Sequence, residues 1–170
     1  RSIAADGGMR HARALGLEPE LWVGDFDSTP ADLAARHAGV PRLTHPVDKD
    51  KTDGELAVEA ALARGAAELI LVGALGGQTD HALGHAVLAI RLARQGFRVM
   101  LSSGSEEAHP LIEGEHLLEL PPGSRLSIVG LAEMTGLFLE GTRWPLADAH
   151  VALGSTLTLS NVAEGHVRAR

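Results

Sequence analysis

Residues 24–28 read G-D-F-D-S and directly follow the apolar run L-W-V at residues 21–23. Because side chains alternate along a strand, a strand ending in this stretch would place the Asp25 and Asp27 carboxylates on the same side of the backbone. Two carboxylates this close favour a cation between them, and Mg²⁺ accepts one or two carboxylates beside water and phosphate oxygens. The alternative is a solvated turn in which one aspartate caps the next helix. The rest of the chain favours the metal-binding interpretation.

The composition predicts a folded globular protein. Of 170 residues, 45% are apolar and 22% are charged, which suits one domain or two small ones. The formal net charge is -7 and only 3% of residues are aromatic, so the basic stripe and the stacking platform of a nucleic-acid-binding protein are both missing. The sequence has no cysteine, no recognisable signal peptide and no long apolar span. We therefore expect a cytoplasmic protein that binds a small anionic ligand with a metal, and neither nucleic acid nor a membrane.

Two other polar loops follow predicted strands in the first half of the chain. A strand at residues 3–5 leads into D-G-G at 6–8, where the glycines would let the backbone approach a ligand beside Asp6. A strand at 39–45 leads into the charged stretch D-K-D-K-T-D-G-E at 48–55, which opens an alanine-rich helix. Lysines and helix N–H groups at such a junction can hold phosphates while carboxylates hold a metal. A plain turn in the first loop and a solvated N-cap in the second are the alternatives.

The clearest strand in the sequence is E-L-I-L-V at residues 68–72, followed by G-A-L-G-G-Q-T-D-H at 73–81 and a helix. Glycines between a buried strand and a helix allow phosphate to approach closely, although their spacing is not that of the dinucleotide-binding fingerprint. His81 and His85 lie four residues apart on one helix face and could bind zinc, but no third ligand stands out. A capping and surface role is the favoured interpretation of these histidines.

Repeated units of strand, polar loop and helix predict a parallel sheet covered by helices, that is, a three-layer α/β nucleotide-binding domain at residues 1–103. Its polar loops would all emerge at the carboxyl edge of the strands. The predicted helices lie at residues 9–15, 30–38 and 55–64, with another ending near 95. From residue 104 to 170, short alternating segments broken by glycine and proline predict a small antiparallel β-sandwich. The predicted strands of this second domain are 116–120, 125–129, 136–140, 149–152 and 155–160.

One tryptophan stands out in the second domain. Trp144 precedes Pro145 and Leu146 in a turn-like segment. Its indole could plug the β core or offer a flat face to an aromatic ligand. The residues alone leave both possibilities open.

Six segments taken together resemble the thiamin pyrophosphokinase family and occur in the order typical of that family. They are A-D-G-G at 5–8, G-D-F-D-S at 24–28, D-K-D-K-T-D-G-E-L-A at 48–57, G-A-L-G-G-Q-T-D-H at 73–81, G-x-x-W-P-L at 141–146, and S-N at 160–161 with glycine at 165. The resemblance implies transfer of a pyrophosphoryl group from ATP to the hydroxyethyl group of thiamin, giving thiamin diphosphate and AMP. It also implies an α/β nucleotide domain joined to a β-sandwich, in a homodimer that binds thiamin where the subunits meet.

The resemblance also implies roles for individual positions. Asp25, Asp27 and Asp53 would hold Mg²⁺ on the phosphates. Asp50 and Asp80 complete the implied catalytic set, and we expect one of them to accept the proton of the thiamin hydroxyl group. The residues implied in binding ATP, the transferred group or thiamin are Asp6, Gly7, Gly8, Lys49, Lys51, Thr52, Gly76, Gly77, Gln78, Trp144, Ser160 and Asn161. Such a set suits phosphoryl-type transfer, which depends on positioning and charge neutralisation.

Three features depart from the family pattern. Gln78 stands where the family usually has arginine, and the loss of a cation beside the phosphates would slow transfer or shift that role to Lys49 or Lys51. His85 replaces an asparagine that is common near the start of the following helix. The strand and glycine turn that normally precede A-D-G-G are absent ahead of residue 5.

Three alternatives compete with this activity. A pyrophosphokinase acting on a pterin alcohol would have a similar nucleotide domain, but Trp144 and the S-N segment favour thiamin. Residues 25–29 also resemble the D-x-D-x-T start of haloacid-dehalogenase-like phosphatases, whose first aspartate is a nucleophile. The longer strand before that motif and its later lysine and acidic pair are not found. The third alternative is a nucleotide- or thiamin-binding module without turnover, which Gln78 favours.

Overall fold

The computed structural model describes residues 1–27, 29–46 and 50–170. The chain folds into two compact units, Arg1–Pro110 and Leu111–Arg170. No helix in the described part of the chain is long and apolar enough to cross a lipid bilayer.

A parallel sheet of three strands forms one half of the first unit. Its strands are β1 (Ile3–Ala5), β2 (Leu21–Gly24) and β3 (Arg42–Thr44), with β2 in the centre. Because the strands are parallel, with Ala5 opposite Val23, the chain leaves all three of them at the same edge. A 3₁₀ helix (Asp6–His11) follows β1, and α1 (Ala31–Arg36) follows the loop after β2.

A mixed sheet of three strands forms the other half of the first unit. Its strands are β4 (Glu68–Val72), β5 (Arg98–Ser102) and β6 (Glu107–Ala108), and helix α3 (Thr79–Arg94) connects β4 to β5. β4 and β5 are parallel, whereas β6 is antiparallel to β5. Leu88, Ala89 and Leu92 of α3 are buried in one cluster with Val99 and Leu101 of β5. This packing is the expected result of a helical crossover between parallel strands.

Helix α2 (Asp53–Ala63) packs against both sheets. Ala57 and Ala60 lie in a cluster with Leu21 and Val23 of β2. Val58 points to a different side of the helix and belongs to the cluster formed by α3 and the second sheet. The apolar residues of α2 therefore form two stripes, and the helix joins the two sheets into one unit.

The prediction of an α/β fold is confirmed in its coarser form, as parallel strands alternating with helices. The prediction of one continuous three-layer parallel sheet is not fully confirmed, because the described strands form two sheets and β6 runs antiparallel. The helix predicted at residues 9–15 is confirmed only in part. A 3₁₀ helix covers Asp6–His11, and turns continue from there to Gly16, which has φ 63°.

The second unit consists of antiparallel strands. They are β7 (His116–Leu118), β8 (Arg125–Leu126), β9 (Met134–Thr142), β10 (Leu146–Val151) and β11 (Asn161–Ala169). β9 pairs with β10 and β11, while β7 and β8 pair with different parts of β11. The predicted antiparallel character is confirmed. The described strands form one connected sheet, so the two stacked layers of the predicted sandwich are not confirmed.

The strand predicted at residues 155–160 is wrong. The described backbone forms turns there, and the strand runs instead over Asn161–Ala169. Alternate residues of β11 are buried, but several of them are small and Gly165 interrupts the pattern. The leucines before residue 160 gave a stronger apolar signal than the strand itself, which is why periodicity favoured the wrong segment.

Gly141 lies where β9 approaches β11 most closely. Its φ of 73° is in the left-handed region, and a Cβ at this position would lie 2.0 Å from the carbonyl oxygen of His166. The pairing of β9 with β11 shifts register between Ala163 and Arg168, as it does at a β-bulge. Only glycine meets both the conformational and the spatial requirement.

We expect Gly141→Ala to destabilise the protein by roughly 3 kcal/mol or more, because a clash with the main chain adds to the strain of a positive φ. Gly154→Ala is the matched control, since Gly154 has φ 84° but nothing within 4 Å of the added Cβ. The control should lose only about 1–2 kcal/mol. Urea unfolding followed by circular dichroism measures both values, and equal losses would show that the approach to His166 is unimportant.

Candidate functional site

The carboxyl ends of β1 and β2 bring Asp6 against the acidic loop. The indole Nε1 of Trp22 donates a hydrogen bond to the carbonyl oxygen of Asp6 at 2.9 Å, and Oγ1 of Thr29 donates one to its carboxylate at 3.4 Å. Trp22 is completely buried, so its hydrogen bond holds the main chain at Asp6 in place. Gly24 permits this arrangement, because a Cβ there would lie only 3.3 Å from Cα of Asp6.

The acidic loop is anchored by its central phenylalanine. Phe26 has φ 63°, and its ring packs edge-on against Trp22 with 5.1 Å between centroids. Asp25 precedes Phe26 and Asp27 follows it. The main-chain N–H of Asp27 donates a hydrogen bond to Oδ1 of Asp25 at 3.3 Å. The strand ends before Asp25, so strand alternation does not set the directions of the two aspartates, and the hydrogen bond between them forms an Asx-type turn. Ser28 lies outside the described residues.

Sequence reasoning missed an arginine beside this loop. Arg42 lies opposite Trp22 in the register of β2 and β3, and its guanidinium carbon is 4.9 Å from the ring centroids of both Trp22 and Phe26. The contact is of the cation–π type and places a positive charge next to the acidic loop. No local signal identifies this residue, because only the pairing of two strands brings it to the aromatic pair.

Thr52 and Lys51 organise the start of α2. Oγ1 of Thr52 accepts a hydrogen bond from the N–H of Glu55 at 3.3 Å, which makes Thr52 the N-cap and Asp53 the first helical residue. Nζ of Lys51 donates to the Glu59 carboxylate at 2.6 Å, and this hydrogen bond raises the pKa of Lys51 above its usual value. This hydrogen bond therefore favours the charged form of Lys51, whose ammonium group has two further N–H donors.

The start of α2 also contacts α3. A Cβ on Gly54 would lie 2.9 Å from Nε2 of His85, and Arg91 pairs with Glu55 at 2.6 Å. Within the described residues, the buried Nδ1 of His85 has no hydrogen-bond partner. His81 lies beside His85, with 6.3 Å between the ring centroids. His81 is exposed, as the predicted surface role requires, whereas His85 is partly buried as a packing neighbour of α2.

The loop between β4 and α3 depends on glycines that have positive φ angles. Gly73, Gly76 and Gly77 have φ values of 77°, 134° and 73°. Gly73 packs closely on the 3₁₀ helix that follows β1, since a Cβ there would lie 2.9 Å from Nε2 of His11. A loop of the second sheet thus lies next to a loop of the first sheet. Sequence reasoning did not identify His11, because its partner is distant along the chain.

The start of α3 presents main-chain N–H groups, and residues 78–81 include no lysine or arginine. Gln78 occupies the N-cap position, and its side chain makes no capping hydrogen bond. Asp80 lies in the first turn and accepts a hydrogen bond from the main-chain N–H of His81 at 2.9 Å. Gly76 and Gly77 are exposed together with these residues. The first turn of a helix attracts anions through its N–H groups, so this exposed start is suited to a phosphate.

The remaining predicted residues of the first unit lie in less distinctive positions. Gly7 and Gly8 are part of the 3₁₀ helix, where the carbonyl oxygen of Gly7 accepts a hydrogen bond from Arg10 at 2.7 Å. Asp50 is exposed just ahead of α2. Lys49 lies outside the described residues.

The carboxylates of the first unit do not form a ready-made metal cage. In residues 1–27, 29–46 and 50–170, no group of three or more His, Cys, Asp or Glu side chains is arranged to hold a metal ion. Mg²⁺ does not require such a group, because it usually binds one or two carboxylates together with substrate phosphates and water. Asp25 and Asp27 supply carboxylate oxygens, which are ligands that Mg²⁺ accepts, so the chemistry of these residues fits Mg²⁺.

Trp144 in the second unit is an exposed aromatic residue on a fixed main chain. Its side chain is 56% exposed, so the indole does not plug the β core. Asn161 is buried, and its side-chain amide accepts a hydrogen bond from the N–H of Trp144 at 3.2 Å and donates one to its carbonyl oxygen at 2.8 Å. Ser160 is exposed with φ 58°, and its N–H donates to Oγ of Ser127 at 2.9 Å.

Two family models match the chain, one for each half. The catalytic domain of thiamin pyrophosphokinase matches residues 1–101, and the vitamin B1 binding domain of thiamin pyrophosphokinase matches residues 115–169. The thiamine pyrophosphokinase of Bacillus subtilis (strain 168) is 30% identical over 163 residues, which cover 94% of this chain and 76% of that protein.

Solved structures agree with this match. The crystal structure of thiamine pyrophosphokinase from Bacillus subtilis has a TM-score of 0.82 at 26% identity and covers 98% of this chain and 84% of its own. Thiamin pyrophosphokinase from Candida albicans has a TM-score of 0.83 at 13% identity, covering 99% of this chain and 78% of its own, and shows a likeness of fold alone. An α/β unit followed by an antiparallel β unit is therefore the fold of a two-domain kinase. The chain belongs to the thiamin pyrophosphokinase family.

We expect Gly24→Ala to disturb the contact between Asp6 and the acidic loop. The added Cβ would press on the main chain of Asp6, and overpacking of this kind costs about 1–3 kcal/mol. Gly39→Ala is the matched control, because nothing lies within 4 Å of a Cβ at Gly39. Urea unfolding should show a loss for the first variant and almost none for the second. A stable Gly24→Ala protein would contradict the tight approach of β2 to Asp6.

Proposed function

We propose that this protein transfers a pyrophosphoryl group from ATP to the hydroxyethyl group of thiamin, giving thiamin diphosphate and AMP. The observation that carries the proposal is the presence of both family domains, in order, on one chain. In this proposal the domain at residues 1–103 binds ATP, and the domain at 104–170 binds thiamin. The exposed glycine loop and helix start at residues 76–80 and the exposed indole of the second unit support this division.

The phosphates of ATP would bind where two helices begin. The starts of α2 and α3 present main-chain N–H groups, and Gly76 and Gly77 let the backbone approach the ligand. Lys49 and Lys51 would add positive charge, and Lys51 has N–H donors beyond the one that it gives to Glu59. Thr52 caps α2 and would keep its first N–H groups in place for the ligand.

Mg²⁺ would be held by Asp25 and Asp27, with Asp53 at the start of α2 as the third implied ligand. When bound, the ion would neutralise charge on the transferred phosphates. The contribution of the protein is the turn in which Asp27 donates its N–H to Asp25, together with the anchoring of Phe26 on Trp22. Asp6 would line the same site through its link to Thr29.

The thiamin hydroxyl group needs a proton acceptor and the ring needs a binding surface. Asp80, exposed in the first turn of α3, and Asp50, exposed ahead of α2, are the proposed acceptors. Trp144 would stack on the thiamin ring, beside Ser160, in a homodimer that binds thiamin where the subunits meet. Its exposure of 56% supports this role, because an indole available for stacking must not be buried.

The proposed activity is tested by measuring AMP and thiamin diphosphate from ATP, Mg²⁺ and thiamin, with a pterin alcohol as the control acceptor. We expect equal amounts of both products with thiamin, none with the pterin alcohol, and none when EDTA removes the metal. Product with the pterin alcohol alone would favour the related pyrophosphokinase. Binding of ATP and thiamin without AMP release would favour a binding module, in which Gln78 fails to replace the usual arginine.

The composite site is tested by mixing two inactive variants. Asp27→Asn removes a proposed metal ligand and Trp144→Ala removes the stacking surface, so each protein alone should lose most of its activity. If Trp144 serves the site of the partner subunit, heterodimers formed by mixing regain one intact site, and activity should recover to about a quarter of the unmodified value.

The control for this mixing experiment is Asp32→Asn, which changes an exposed aspartate paired with Arg36 on α1. It should remain fully active alone. No recovery on mixing would contradict a site shared between subunits, and full activity of Asp27→Asn would contradict the metal assignment.

A further inference from the structure

We infer that Asn161 is a positioning residue for thiamin, acting through the main chain of Trp144 rather than by touching the ligand. This inference rests on the proposed function and deepens it. The S-N segment at 160–161 resembles a ligand-binding motif, but the structure has its asparagine side chain 4% exposed and turned to the protein.

Hydrogen bonds to main-chain groups occupy almost all donor and acceptor positions of the Asn161 side-chain amide. Its Oδ1 accepts from the N–H of Trp144 at 3.2 Å and from the N–H of Val162 at 2.8 Å. Its Nδ2 donates to the carbonyl oxygen of Trp144 at 2.8 Å. An asparagine has two acceptor sites and two donor hydrogens, so one donor hydrogen is all that these contacts leave. A ligand that needs an acceptor from this side chain could bind only by breaking them.

The same strand fixes the residues on either side of the indole. The N–H of Arg143 donates to the carbonyl oxygen of Val162 at 2.9 Å, and its guanidinium lies 3.8 Å from the Glu164 carboxylate. The guanidinium carbon of Arg143 is 5.7 Å from the centroid of the Trp144 ring. Pro145 restricts the backbone of Trp144 from the other side. The start of β11 therefore determines where an otherwise exposed indole is presented.

The test is Asn161→Asp, which keeps the acceptor but places an oxygen opposite the carbonyl oxygen of Trp144. We expect the KM for thiamin to rise roughly 5- to 100-fold, the range for a buried hydrogen bond replaced by an unsatisfied pair, while the KM for ATP stays unchanged. Acrylamide quenching should also change. Trp22 is completely buried, so Trp144 accounts for the quenchable fluorescence. At low pH a protonated carboxyl can donate again, so the quenching should return towards that of the unmodified protein.

The matched control is Thr158→Val. Thr158 is 1% exposed and donates to the carbonyl oxygen of Ile128 at 2.6 Å, so its loss also removes a buried hydrogen bond from the second unit without touching Trp144. The control should lose stability but keep its thiamin KM and its acrylamide quenching. Equal changes in both variants, or an unchanged KM in Asn161→Asp, would overturn the inference.

Failure of the proposed function is distinguishable from failure of the inference. If the unmodified protein makes no thiamin diphosphate, the proposed function fails. Acrylamide quenching still reports whether Asn161 holds the indole, because it needs no substrate. Unchanged quenching in Asn161→Asp across the pH range would overturn the positioning role by itself.

Discussion

The buried indole of Trp22 is the interaction on which the acidic end of the first unit depends. Its N–H donates a hydrogen bond to the main chain of Asp6, its ring packs against Phe26 in a T-shaped arrangement, and the guanidinium of Arg42 lies over its face. These partners come from the end of β1, from the acidic loop and from β3. A large ring with one polar atom can satisfy all three, because a buried indole needs a partner for its N–H and apolar or cationic contacts for its faces. One side chain in the central strand thus sets the relative positions of three segments.

Helix α2 has a comparable role between the two sheets of this unit. Its Ala57 and Val58 belong to different buried clusters, and its first turn contacts α3 through Gly54 and Glu55. The start of α2 is consequently held by direct contacts with the middle and the last turn of α3. A phosphate ligand that binds helix N–H groups benefits from such a frame, since little further ordering is needed when it binds.

The parts of the structure that were predictable from sequence depend on local patterns. The strand Glu68–Val72 and helix α2 follow from apolar runs and capping residues that are adjacent in sequence. The parts that were not predictable depend on distant pairing: the separation of the strands into two sheets, the position of Arg42 and the contact of His11 with Gly73 are examples. The loop after β2 was predicted as a loop, but the turn geometry that links Asp25 and Asp27 depends on the three-dimensional structure.

The S-N segment shows the same division within the second unit. Its residues were identified as part of the candidate site, whereas the use of the Asn161 amide by the main chain of Trp144 depends on the pairing of β9 with β11. Strand β11 itself was placed too early, because its small buried residues carry little apolar signal. Motif resemblance therefore selected these residues, and only the tertiary structure showed that the Asn161 side chain binds main-chain groups.

Strand β11 comes after all the strands with which it pairs, and this order has a consequence for biosynthesis. A ribosome releases β7, β8 and β9 before the strand that completes their hydrogen bonding exists. Until then the nascent chain carries open strand edges and the apolar residues meant for its core, both of which favour association with other chains. The yield of folded protein in a cell is thus sensitive to the interval between synthesis of β9 and release of β11. During that interval, chaperones that cover exposed strand edges and apolar residues would limit aggregation.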